Sequence, residues 1–247
     1  MSVYTYDGSF EGFLTVLYET IKNNDEVSDI STDDSDTIDL FAQKINIKTD
    51  SKKAETVIKT LLSKFDYKVL RNVYYCFLSC DKSIEKKIYL YVKLCLKLEK
   101  NIDDYYSNDI ILPIREIVKR VAVEKQKFLG ILRFQKLKDD LYYAQIEPDN
   151  NIVFLLTNHC KKRFSSQEWL IHDVKRNVGA FYDTKTVKII SVESYDDIKK
   201  NYHEDEELYQ NLWKTYFKNI AIEERKNLKL QRQFIPVRYW KYLVEKN

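Results

Sequence analysis

The first residues, SVYTYD, alternate in the period of two that predicts a short strand. The period then changes. In GSFEGFLTVLYETIKNN the apolar residues Phe13, Leu14, Leu17 and Ile21 fall at helical spacing. Asp7, Gly8 and Ser9 ahead of them make a turn and a helix start, with Asp7 or Ser9 capping the first amides. The acidic stretch NNDEVSDISTDDSD interrupts the pattern and reads as a solvated loop. AQKINIKTD is a strand that runs into an N-cap at Thr49 or Asp50. Four segments with 3.6-residue apolar faces follow: SKKAETVIKTLLSKF, YKVLRNVYYCFLSC, SIEKKIYLYVKLCLKL and DIILPIREIVKRVAVEKQKF.

After residue 127 the pattern turns to β. FLGILRFQKL and LYYAQIEPD read as strands joined by KDD, a hairpin signal. NNIVFLLTNHCKKRF is helical, and EWLIHDVKRN, VGAFYDT and TVKIISVES supply up to three further strands. Turns fall near Arg176 and Asn177 and near Thr184 and Lys185, and from Asp205 the chain is helical again. The expected fold class is α+β: a mostly antiparallel sheet of about five strands with helices segregated from it. With no fixed-period repeat and no linker rich in Pro, Gly or Ser, one domain is expected over residues 1–247. Its parts are helix-rich at 50–127, β-rich at 128–192 and helical at 205–247.

Composition narrows the function classes. Hydrophobic residues make up 44% of the chain and aromatics 14%, enough to build a core. No apolar run approaches the roughly 18 residues of a membrane span, and MSVYTYDGSF has neither a basic nor an apolar leader region. The expectation is a cytoplasmic protein without membrane contact. Only four Gly are present, and neither G-x-G-x-x-G nor G-x-x-x-x-G-K-[ST] occurs, which disfavours those nucleotide-binding folds. G-x-S-x-G is absent too. Cys76, Cys80, Cys95 and Cys160 form no C-x-x-C pair and read as buried thiols, with Cys76 and Cys80 sharing a helix face. No metal and no cofactor is expected on this chain.

Charge is unevenly placed. Residues 1–50 carry eleven Asp/Glu against three Lys, whereas residues 211–247 carry nine Lys/Arg against three Glu. A basic end on a chain of net charge +3 suggests a local anionic partner. In that end Arg225, Lys226, Lys229, Arg232, Arg238 and Lys241 can neutralise phosphates, and Phe234, Tyr239, Trp240 and Tyr242 interleave with them. The alternative is a packed end, in which Trp213, Phe217, Ile220, Tyr239 and Trp240 lie on the sheet and the charges are solvated.

Four residues are candidates for a polar site. His159 precedes Arg163 by four residues on one helix face and could act as a base or donate to a phosphate. Arg133 is placed in the strand GILRFQ, on a solvated face or a basic surface. Asp173 and Arg176 flank a turn, where a structural role competes with a functional one. His172 and Asp173 are strand neighbours pointing to opposite faces, so they form no dyad. His203, in NYHEDEE, is expected to be exposed in an acidic loop.

YDGSFEGFLTVLYE, FLGILRFQKL with LYYAQIEPDNNIVFLLTNHCKKRF, and LWKTYFKNIAIEERKNLKLQRQFIPVRYWKYL together resemble a bacterial family of probable DNA metabolism proteins. The resemblance runs in order over nearly the whole chain. Members occur in a short form, encoded beside a radical S-adenosylmethionine protein, and a long form continuing into a uracil-DNA-glycosylase-like domain. The chain stops seven residues after Trp240 and so is similar to the short form. Pro113, Pro148 and Pro236 lie in ILPIR, EPDN and FIPVR, so glycosylase Asp-Pro and His-Pro-Ser loops are missing and uracil excision is disfavoured. The resemblance implies a nucleic-acid-binding accessory protein in DNA modification or repair, partnered by DNA and by a radical S-adenosylmethionine protein. An enzyme acting on nucleic acid and a protein–protein adaptor remain the alternatives.

Overall fold

The structure, a computed structural model, describes residues 2–32, 43–98, 105, 108–192 and 201–246. It divides into two compact units, residues 1–122 and 123–247. The fold class is α+β, with a three-stranded and a five-stranded sheet.

In the first unit the alternating start becomes β1 (Ser2–Tyr6), the central strand of a parallel sheet. Its neighbours are β2 (Val27–Thr32) and β3 (Gln43–Asn46). Parallel neighbours need a crossover, and α1 (Phe10–Lys22) supplies it between β1 and β2. Ser9 caps α1, accepting from the Gly12 amide at 2.9 Å, while Asp7 accepts from the Ser9 amide and hydroxyl and from the Thr49 hydroxyl at 2.7 Å. A Cβ on Gly12 would meet Asp7 Oδ1 at 2.3 Å and Thr49 Oγ1 at 2.8 Å, so only glycine lets these groups close over the helix start. Gly8 takes φ +79°, which also favours glycine. The YDGSFEG motif is therefore a helix cap and turn. Phe13, Leu14 and Leu17 of α1 are fully buried, and Phe10 and Phe13 pack rings against Tyr74 and Phe77.

The acidic stretch was expected to be loop, yet its first part forms β2. Ile30 and Ser31 are buried there, and five of the six β2 residues pair with β1, the register shifting at Ser28. The rest of that stretch lies outside the described residues. The two helical segments after Asp50 form one helix, α2 (Ser51–Phe77), because no Gly or Pro interrupts them. Asp50 caps it through the Lys52 and Lys53 amides. Then follow α3 (Ile84–Leu98) and α4 (Ile111–Ile131). Cys80 lies beyond the end of α2 and is exposed, so it shares no helix face with buried Cys76.

The division between units falls within α4. In the second unit, FLGILRFQKL was expected to be a strand, but α4 continues through Ile131 and only Gln135–Lys136 pairs, as β4. Arg133 therefore follows a helix end rather than lying in a strand. The sheet order is β4-β5-β6-β7-β8, with β5 (Tyr142–Ile146), β6 (Trp169–Asp173), β7 (Val178–Tyr182) and β8 (Val187–Ser191). Every pair is antiparallel except β5 with β6, where α5 (Val153–Arg163) makes the crossover. All five residues of β6 are buried, as the middle strand requires. One face carries Leu137, Tyr143, Leu170 and Val192; on the other, the Trp169 and Tyr182 rings pack at a tilt, 5.1 Å apart. Residues 201–203 run along β4, with the His203 amide donating to Lys136 O at 3.0 Å and covering that edge. The chain continues as α6 (Glu206–Ile220) and α7 (Leu228–Phe234), then short 3-10 turns at Val237–Tyr242 and Val244–Lys246.

Candidate functional site

Carboxylates, some buried and some exposed, decide which basic residues of the second unit are already committed. Glu124 of α4 accepts from the Asp149 and Asn150 amides at 2.7 and 3.0 Å and from the Asn150 side chain at 2.6 Å. The Tyr239 hydroxyl donates to it at 3.2 Å. This clamps the loop after β5 and gives the C-terminal segment a buried anchor, for Tyr239 is 3% exposed and packs edge-on to Phe128. Around that anchor Arg238 pairs with Asp149 and donates to the Tyr239 hydroxyl at 2.7 Å. Lys241 and the Tyr242 hydroxyl both reach Glu147 at 2.6 Å. The hydrogen bond from Lys241, then that from Tyr242, holds the Glu147 carboxyl below its ordinary value. Two of the six basic residues marked in the tail thus pin the chain end to the sheet.

Asp173 and Arg176 are committed in the same way. Asp173 is fully buried; it accepts from the Lys175 and Arg176 amides at 3.0 and 3.3 Å and pairs with the Arg176 guanidinium at 2.7 Å. Arg176 also donates to Pro148 O at 3.1 Å and to Asp149 O. The pair ties the β6–β7 turn to the loop after β5. His172 faces away from it and shares a 2.8 Å hydrogen bond with the Tyr143 hydroxyl. Burial lowers the His172 pKa despite the nearby Asp173, so the ring is neutral near pH 7.

The other candidates meet in one cleft of about 820 Å³, within the span usual for ligand sites. It lies among the end of α4, β4, the end of α5 and the start of α6. His159 and Arg163 line it from α5. The four-residue spacing read from the sequence puts both on one side of that helix. Both are exposed, and neither has a hydrogen-bond or ion-pair partner among the described residues. Arg163 lies only over the ring of its neighbour Phe164, at 5.7 Å. Arg133 also lines the cleft but is held in place: it pairs with Glu245 at 2.6 Å, donates to Gly130 O at 3.1 Å and lies over the Trp213 ring at 5.5 Å. Burial alone would raise the Glu245 carboxyl. Hydrogen bonds from Arg133 and from the Trp213 indole outweigh it and hold the group below its ordinary value.

Three of the four polar-site candidates are thus brought together, and Asp173 is not among them. The sequence reading missed Lys136, Tyr142, Trp213 and His203, which also line the cleft. His203 was expected to be exposed in an acidic loop. It is half-buried, because its backbone is held along β4. Glu206, also at the cleft, is buried and accepts from the Lys136 amide at 2.9 Å, fixing the start of α6 against β4.

Of the tail cations, Lys226 pairs with Glu223 at 3.3 Å. Arg225, Lys229 and Arg232 are exposed and without partners among the described residues. The packed-end expectation is met in part. Tyr239 is buried and Trp240 half-buried, its indole donating to Ile235 O at 2.9 Å, but Trp213 and Ile220 are 39% and 56% exposed. Among the described residues no group of three or more His, Cys, Asp or Glu could hold a metal ion, and no helix is long and apolar enough to cross a membrane.

Neither a curated protein nor a solved structure matches the chain. A family model does match, over residues 82–245, a stretch that begins just before α3 and takes in the cleft and the anchored chain end. The chain belongs to the family described as a domain of unknown function, DUF4130.

Proposed function

We propose that the second unit binds nucleic acid and that the protein serves as an accessory in DNA modification or repair, working with a radical S-adenosylmethionine partner. The observation that carries the binding reading is the cleft: His159 and Arg163 stand there without hydrogen-bond or ion-pair partners among the described residues, beside Phe134, Tyr142, Phe164 and Trp213. An unpaired guanidinium is available to a phosphate, and aromatic rings next to it offer stacking surfaces to unpaired bases. Arg225, Lys229 and Arg232 extend the supply of uncommitted cations into the tail. The role in DNA modification and the radical partner rest on the family resemblance in the three sequence motifs.

A catalytic reading is weaker. A histidine base needs a group that orients it. Asp173, the carboxylate among the four polar-site candidates, is committed to Arg176 away from the cleft. An adaptor role has one feature in its favour, the row of exposed apolar residues Leu208, Leu212, Tyr216 and Ile220 on α6.

The test is a salt titration of binding to a single-stranded oligonucleotide. Each lost phosphate contact should flatten the slope of log K against log salt by about 0.7 for a single strand. Arg163→Gln is expected to do so once, and Arg225→Gln with Lys229→Gln and Arg232→Gln to do so further. Unchanged slopes in folded variants would leave the adaptor reading in place.

A further inference from the structure

The five-stranded sheet has two edges, and the chain treats them differently. At β4, residues 201–203 run alongside, with the Lys138 amide donating to Asn201 O at 2.9 Å and the His203 amide to Lys136 O at 3.0 Å. Along β8 no such segment is found among the described residues. The ladder with β7 fixes which β8 groups are left over. The Val192 amide donates to Asn177 O at 2.9 Å, and the Asp183 amide to Thr186 O at 3.2 Å. In an antiparallel pair such bonded residues alternate with unbonded ones. Lys188 and Ile190 therefore bond β7, while Val187, Ile189 and Ser191 turn their amides and carbonyls outward. Sheet edges are ordinarily blunted by Pro, by a bulge or by charges. β8 has no Pro, its register with β7 is unbroken, and its one charge, Lys188, is paired with Asp183 at 3.3 Å. Ile189 and Ile190 point to opposite faces and are 52% and 37% exposed.

We infer that β8 is the seam of a two-fold dimer, in which the β8 of a second copy of this chain pairs with it antiparallel about Ile189. The strand is complementary to itself in its backbone, its charge and its apolar side chains. With Ile189 opposite its own copy, Val187 falls opposite Ser191, so the outward groups of both strands meet in one register and form six hydrogen bonds. That number lies within the range of a typical interface, which carries about ten. In the same register Lys188 falls opposite Ile190 and not opposite the other Lys188, so no like charges face each other. The Lys188 stem covers the exposed Ile190 of the other copy, and on the opposite face the two Ile189 side chains meet. A two-fold axis lets one patch serve both copies, and the two five-stranded sheets become continuous. One strand a side buries less than the about 800 Å² per partner of a standard interface, so the dimer is weak and concentration-dependent.

This pairing is independent of nucleic-acid binding, and the whole chain tests it. Sedimentation equilibrium over a concentration series should show a reversible monomer–dimer equilibrium. Ile189→Lys sets two like charges opposite each other at the axis. Ile189→Pro removes an outward N–H and leaves the β7 ladder its bonds. Each should weaken the dimer by about tenfold or more, with the near-ultraviolet circular dichroism unchanged. Hydrogen exchange in the unaltered protein keeps the test open if either variant does not fold. The Val187, Ile189 and Ser191 amides should gain protection as the dimer forms, while those of Lys188 and Ile190 are already protected in the monomer by β7. A dimer that both folded variants leave intact lies elsewhere on the molecule and overturns the inference. Exchange at Val187, Ile189 and Ser191 that does not change with concentration overturns it as well. A chain that stays monomeric at every concentration leaves β8 to an extended segment of another protein, and the second copy is again ruled out.

Discussion

Asp173 with Arg176 and His159 with Arg163 look alike on paper. Each is a polar pair spaced three or four residues apart beside an apolar stretch of the same unit. In the fold they differ completely. Asp173 is fully buried, meets two amides and a guanidinium, and its partner Arg176 is shared with two further carbonyls. His159 and Arg163 are exposed at a cleft and meet no polar protein group among the described residues. The same division runs through the tail, where Arg238 and Lys241 are bound to Asp149 and Glu147 while Arg225, Lys229 and Arg232 are not. A charged residue says what it can bind. Only its surroundings say whether that capacity is already used.

The largest effect should come from breaking the closed pair. Asp173→Ala leaves Arg176 and two amides without their buried acceptor, a loss of the kind that costs about 3–5 kcal/mol. Chemical denaturation should show a drop of that order, with the single-stranded oligonucleotide affinity of the remaining folded protein unchanged. A folded, equally stable variant that had lost binding would instead return Asp173 to the functional set and dissolve the contrast.

A second test uses the buried His172 on the opposite side of β6. Its folded pKa lies below its ordinary 6.5, because burial disfavours the charged ring. The unfolded chain therefore takes up a proton first as pH falls. Stability is fully present above about 6.5 and declines below it, at up to about 1.4 kcal/mol per pH unit for one proton. His172→Gln should remove that part of the slope.

The fold was legible where one period ran unbroken. β1, α1 and strands β5 to β8 follow from spacing and turn residues alone, which also narrowed each helix cap to two residues, Ser9 and Asp50 being the ones that bond the first amides. The errors came where local composition outweighed a longer pattern. FLGILRF is rich in strand formers, yet Ile114, Ile117, Val121, Phe128 and Ile131 are buried at steps of three, four and seven, so the helical period begun upstream carries through. Extending that count would have placed Arg133 after the helix. β2 hid among carboxylates because a strand at the side of β1 buries only two of its six residues. For the site, residue types and the i,i+4 spacing brought out His159 and Arg163. Lys136, Tyr142, Trp213 and His203 come from four separate elements or loops, and nothing local connects them. Their meeting depends on the β5–β6 crossover and on residues 201–203 lying along β4.

The smallest expected effect sharpens the contrast most. Arg238 and Lys241 form ion pairs with Asp149 and Glu147 in which all four side chains are substantially exposed, between 38% and 61%. Such pairs contribute only about 0–1 kcal/mol each, and the buried Tyr239 under them keeps its own hydrogen bond to Glu124. Arg238→Gln with Lys241→Gln should therefore lower the melting temperature by a few degrees at most. It should also leave the salt slope of oligonucleotide binding where it was, because these cations already have carboxylate partners. Arg163→Gln, changing one cation instead of two, should do the reverse: the same melting temperature and a flatter slope. If the double variant flattens the slope as much as Arg163→Gln does, Asp149 and Glu147 release their partners to phosphate when nucleic acid binds. The committed and uncommitted cations would then form one surface.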